Sequence, residues 1–371
     1  MSKLHRATLH LGLAAVLLSA LAATTACDNS YGCLANAQEQ IAQEGTSTFK
    51  AAMVAKVARL GDTYYAATSK LYGRAVSGGS WSVVSVAGSA SYTLLSMASG
   101  ASTLYVSILD ASDANKVYST TDGSAWSELG TGSLPSTAWI DSLFASNGTL
   151  FAQSHDKHAS STGSDHAYTL LYWNGSSFAA AGGLASLAVP LVGVEWDGAS
   201  YWYASTAKLY SGTAAPDGAA TDVTSSSTTG LGAFTYSSIT SLRYSAIDAA
   251  LYAGTYTGYI AKVAGTGAPN RQSLGSSPVY ALECVGSKIF AGLGTTTSVS
   301  TGGYFEGVFG SLASGDGGSY GSQYSTTVYG KAVVGFYWDA TASRLFACLA
   351  PGSSSSSYGL YSAASADWVA E

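Results

Sequence analysis

The chain has 371 residues, of which 43 are glycine, 47 % are apolar and only 10 % are charged. So low a charge content beside an ordinary apolar fraction excludes a charge-rich disordered chain and favours turn-rich β structure around a substantial core. The formal charge is −6, and setting aside the first 26 residues with Lys3 and Arg6 leaves 14 basic against 22 acidic residues, or −8, which argues against a nucleic-acid partner.

The first element in chain order is a targeting segment, residues 1–26. Lys3 and Arg6 precede an apolar stretch from Leu9 to Ala23, the charge order and length of a secretory signal and too short to span a bilayer comfortably. It ends in Leu21-Ala22-Ala23-Thr24-Thr25-Ala26-Cys27, small residues before a cysteine, with the polar Asp28-Asn29-Ser30 after it. This resembles the lipobox of bacterial lipoproteins, with Thr24 where that family prefers leucine. The resemblance implies diacylation of the Cys27 thiol and cleavage before it; an ordinary signal peptide cut after Ala20-Leu21-Ala22 is the alternative. Both readings export the protein. No later run is long and apolar enough for a membrane helix, so acyl chains on Cys27 would be its membrane anchor.

Residues 27–50 read as a tether. Leu34, Ala37 and Ile41 fall at helical spacing, which predicts a short helix ended by Gly45 and the Thr46-Ser47-Thr48 run.

Residues 51–371 read as a repeat. The aromatics Tyr65, Tyr105, Phe151, Trp202, Tyr252, Phe290 and Phe346 recur at an average spacing of about 47 residues. Each follows a large apolar residue. Eight residues earlier stands another apolar residue: Val57, Met97, Leu143, Val194, Tyr244, Leu282 or Trp338. Between them lie turn residues such as Gly61-Asp62, Asn147-Gly148 and Gly286-Ser287, so each unit contains a β-hairpin. In the predicted register the residue six before the aromatic faces the one just before it. Both strand faces then carry bulk, as in a sheet buried between two neighbours. Downstream pairs such as Leu71-Tyr72, Val117-Tyr118 and Leu360-Tyr361, followed by Trp81, Trp126 or Trp368, supply two more strands per unit.

Seven four-stranded antiparallel units define an all-β fold, a seven-bladed β-propeller. Insertions in units three, four and six leave six or eight blades open, and no strand exchange between the chain ends is legible. An outer-membrane barrel and a β-helix are the rival architectures; the first would keep a polar lumen face that these strands lack.

Ser119-Thr120-Thr121-Asp122-Gly123-Ser124-Ala125-Trp126 resembles the Asp-box of sialidase-like propellers, with Asp122 one position away from the family's usual aspartate. The resemblance implies a structural turn in which the acid caps the loop, and the family's arginine motifs are missing. No catalytic residues are assigned. His155, His158, Asp165 and His166 cluster within twelve residues and could ligate a divalent metal such as zinc or copper; a solvated polar loop with no cofactor is the plainer reading. Glu195, Glu283 and Asp339 stand seven before the aromatic of units four, six and seven, and Lys56 and Arg243 nine before theirs. If the first strand of each unit is innermost, these groups line the channel and could hold a small polar ligand. Trp139, Trp173 and Trp196 are candidate anchors for a partner. Cys284 and Cys348 lie at levels about 10 Å apart in their units, too far for a disulfide, so both are expected as buried thiols.

The whole resembles envelope propeller lipoproteins. It implies a non-enzymatic, lipid-anchored scaffold of the bacterial cell envelope, on the periplasmic side or cell surface, binding an envelope protein. The alternative is a carbohydrate- or small-ligand-binding propeller, or a glycan-active enzyme, that uses the channel carboxylates.

Overall fold

The computed structural model describes residues 48–49, 52–130, 134, 138–156, 167–224, 238–263, 270–294, 303–314, 328, 331–350, 359–364 and 368–371. The signal segment, Cys27 and the helix expected over Leu34 to Ile41 lie outside them. No helix among the described residues is long and apolar enough to cross a membrane.

Seven sheets of four antiparallel strands, each taken from consecutive chain, make seven blades. Their inner strands are Lys56–Leu60, Thr93–Ser99, Ala138–Ser146, Leu191–Trp196, Ile239–Ser245, Val279–Val285 and Ala332–Asp339. Each inner strand packs beside the next, and that of blade 7 packs beside that of blade 1. The ring therefore closes at seven with no strand exchanged.

Local sequence explains the hairpins. In blade 3, Asn147 and Gly148 both take positive φ, 48° and 72°, the conformation of a two-residue turn whose twist matches its strands. The predicted register holds in five blades, for example Arg59 opposite Tyr64 and Cys284 opposite Ile289. Blades 5 and 7 correct it. There Tyr244 faces Leu251 and Trp338 faces Leu345, so two more residues enter the turn.

The core lies between blades, because each sheet is apolar on both faces. Phe151, Tyr252 and Phe346 are essentially inaccessible, and Phe346 meets the Tyr64 ring of blade 1 edge-on at 4.8 Å. In blades 2 to 7 the pairing of the inner strand shifts by one residue near its start. The shift exposes carbonyls that the preceding blade caps: Ser107 Oγ donates to Ile140 O at 2.5 Å, and Thr240 Oγ1 and Ser241 Oγ both donate to Val279 O. Blades also touch through backbone. A Cβ on Gly292 would stand 2.8 Å from Val333 O, so Gly292→Ala must push blades 6 and 7 apart. The expected loss is about 1–3 kcal/mol, read from the urea midpoint.

Three contacts seal the seam between blades 7 and 1. The lead-in segment pairs Met53 with Gly359 and buries Phe49 against Tyr72 and Trp81. Asp339 accepts hydrogen bonds from Arg59 and from the Tyr64 hydroxyl, 3.0 and 2.7 Å. Glu371 ties Arg74 and Trp81 of blade 1 to Ser362 and Arg344 of blade 7.

Candidate functional site

The channel follows from the register. The residues opposite the seven repeat aromatics are Ala58, Ala98, Phe144, Glu195, Arg243, Glu283 and Tyr337. All seven line one central cavity of about 400 Å³. One layer deeper, their strands carry Lys56 and otherwise small residues: Ser96, Ser142, Gly193, Ser241, Ala281 and Gly335. The small layer leaves the space; the ring sets its chemistry.

That chemistry is divided. Blades 4, 5 and 6 contribute a charged arc in which Arg243 lies between two carboxylates. Its Nε and Nη2 donate to Glu283 Oε1 at 3.0 and 2.7 Å, and its Nη1 stands 3.5 Å from Glu195 Oε1. Blades 1, 2, 3 and 7 contribute alanine and the aromatic rings of Phe144 and Tyr337. Lys56 crosses from blade 1 to blade 3, donating to Leu143 O at 3.1 Å with its ammonium 5.5 Å from the Phe144 ring centre.

The enclosure shifts titrations. Burial raises Glu195 from 4.5 to about 7, against the attraction of Arg243. Lys56 remains open to channel water, yet the surrounding walls lower its ammonium to about 8. Between the ordinary and the raised value of Glu195, the folded chain binds more protons than the unfolded one. Stability therefore falls as pH rises from about 4.5 to about 7, by up to about 3 kcal/mol. Glu195→Gln is expected to remove this slope, seen by comparing urea midpoints at about pH 5 and about pH 8.

The structure thus brings Glu195, Glu283 and Arg243 together, and Lys56 joins the same channel. It does not bring Asp339 there. Because the blade 7 turn holds two more residues than the alignment of repeats implies, Tyr337 takes the ring position and Asp339 moves to the seam, 4 % exposed. Phe144 and Tyr337 were missed by reading charges alone; for Phe144 its place opposite the repeat aromatic was the available signal, whereas for Tyr337 the longer blade 7 turn left none.

The other expected residues have local roles. His155 pairs with Asp141 through Nδ1 at 2.9 Å and packs against Trp139 and Tyr168. His158, Asp165 and His166 lie outside the described residues, among which no group of three metal-type ligands occurs. Asp122 accepts from the backbone NH of Ser124 and Ala125, which holds its carboxyl down at about 2, the loop-capping role its motif implies. Trp173 packs on Phe178 and Trp196 on Tyr201, both half-buried. Cys284 and Cys348 are free thiols, Cys348 buried and Cys284 half-buried, and burial pushes both up to about 12. Neither is expected to react with iodoacetamide in the native protein at neutral pH, whereas both should be alkylated in urea, as intact mass will show.

Fold and channel define the class: a seven-bladed β-propeller with a polar arc in its channel. No protein-family model and no curated protein matches the chain. Solved structures do. The extracellular domain of BT4673, assigned to a hybrid two component system of B. thetaiotaomicron, is 12 % identical with a TM-score of 0.56, over 85 % of this chain and 39 % of that one. The GH74 enzyme of Niastella koreensis gives 12 % and 0.60, over 85 % and 53 %. Puromycin hydrolase gives 12 % and 0.56, over 86 % and 53 %. The chain therefore spans from about two fifths to about half of the length of these three structures. At this identity the likeness shows the fold, which an extracellular domain and two enzymes share, and fold does not assign activity.

Proposed function

We propose that the chain is an exported, lipid-anchored propeller of the bacterial cell envelope that acts by binding another envelope protein and not by catalysis. The observation that carries this reading is the asymmetry of the connections. The inner hairpins close with turns of two or four residues, whereas five of the links that join strand ends on the opposite face are long: 157–167, 223–238, 294–302, 315–331 and 351–358. A rigid ring whose long links all leave and re-enter the sheets at one face has the layout of a recognition scaffold.

Two features support binding over chemistry. Arg243 occupies the space between Glu195 and Glu283, where a glycosidase would need its two carboxylates free to flank the scissile bond. Cys27, in its lipobox-like context, provides the anchor, and an extracellular domain among the similar folds is consistent with export. In-cell crosslinking followed by mass spectrometry, with Cys27→Ser as control, tests the reading. A reproducible envelope partner that is lost with the anchor is the expected result. An abundant, folded protein with no crosslinked partner would overturn it.

A further inference from the structure

The two acids and two bases of the channel balance in sum but not in position. In the arc of blades 4 to 6, two carboxylates face one guanidinium, so with Glu195 ionised the cluster carries one negative charge in excess. Lys56 has the opposite deficit. Its ammonium meets a carbonyl and an aromatic ring but no carboxylate among the described residues. Both open into the same cavity of about 400 Å³, whose walls already disfavour the Lys56 ammonium, so an opposite charge brought there by a ligand would be weakly screened.

Charge complementarity selects the occupant. A simple cation would satisfy the arc and leave Lys56 uncompensated. A simple anion would do the reverse, and a neutral sugar would compensate neither. We propose that the channel binds a small zwitterion of the amino-acid class, its ammonium group at Glu195, the acid that Arg243 approaches only to 3.5 Å, and its carboxylate at Lys56. Phe144 and Tyr337, the aromatic members of the same ring, border the site on the blade 3 and blade 7 sides and give the ligand's methylene segment an apolar wall. The cluster lies near the short hairpins, away from the long-loop face, so this site is independent of the docking surface proposed above.

Isothermal titration of the purified protein with the ω-amino acids from glycine through γ-aminobutyrate to ε-aminocaproate, near pH 7.5, tests the inference; n-butylamine and butyrate are the one-charge controls. One member of the series is expected to bind at least about tenfold more tightly than either control. Lys56→Met should remove that preference while leaving the weak binding of n-butylamine unchanged, and Glu195→Gln should weaken the amine while sparing butyrate. Because the series and controls are measured on the unaltered protein, the outcome does not depend on the variants folding. Absence of zwitterion binding at millimolar concentration, or equal binding of a one-charge control, would overturn the proposal. Neither result bears on the crosslinking experiment.

Discussion

Glu371→Ala is expected to destabilise the propeller by about 3–5 kcal/mol, the cost of stranding a buried charge after its partner is removed. The Glu371 side chain is 4 % exposed and that of Arg74 only 11 %. The carboxylate bridges Arg74, accepts from Trp81 Nε1 at 3.3 Å and from Ser362 Oγ at 2.5 Å, and lies 3.6 Å from Arg344. It therefore joins blade 1 to blade 7 where no shared strand does so. Urea unfolding of Glu371→Ala, Arg74→Ala and the double variant will separate the pair from its surroundings. If the latch is as described, the double variant loses much less than the two single losses together. Additive losses would show that Arg74 and Glu371 act independently and that their pairing does not hold the seam.

Asp339→Ala is the second large effect, again about 3–5 kcal/mol, because it takes the acceptor from Arg59 Nη1 and from the buried Tyr64 hydroxyl, leaving Arg59 only its bond to Gly61 O and its approach to Asp62. Burial by itself would raise the Asp339 carboxyl, but hydrogen bonds from Tyr64, the Ala342 backbone and Arg59 outweigh it and hold the group below its ordinary value. A depressed carboxylate stabilises the fold at all pH values above its unfolded pKa and loses that contribution as pH falls through the folded one. Asp339→Asn should therefore be less stable than the parent near neutrality and approach it in acid. The measurement is a series of urea midpoints from neutral pH down to about pH 3. A constant gap across the series would assign the role of Asp339 to shape, not charge.

The two acidic positions contrast instructively. Glu195 and Asp339 stand at the same distance before their repeat aromatics, yet one is raised in the channel and the other lowered at the seam. A two-residue shift of register separates them. Such a shift keeps every side chain on its original face, since alternation along a strand has period two, so the apolar pattern of blades 5 and 7 looks the same in either register. The pattern could place a residue on a face but could not say how far along the channel it sits.

What the sequence determined by itself was the set of features that depend on near neighbours. The aromatic repeat, the turn residues and the alternation pointed to about seven four-stranded blades, because hairpins form from contiguous chain and both strand faces must be covered, while the closed ring fixed the count. The same alternation put Glu195, Glu283 and Arg243 on channel strands. Tertiary structure decided everything that joins distant segments. That Glu371 would meet Arg74, that Asp339 would serve the seam, and that Lys56 would cross to blade 3 depends on ring closure, which brings together residues up to 297 positions apart. Charged side chains are few in this chain, and the place of an acid in the repeat does not name its partner, as Glu195 and Asp339 show. Their partners are selected by the geometry of the closed ring, and only that geometry reveals them.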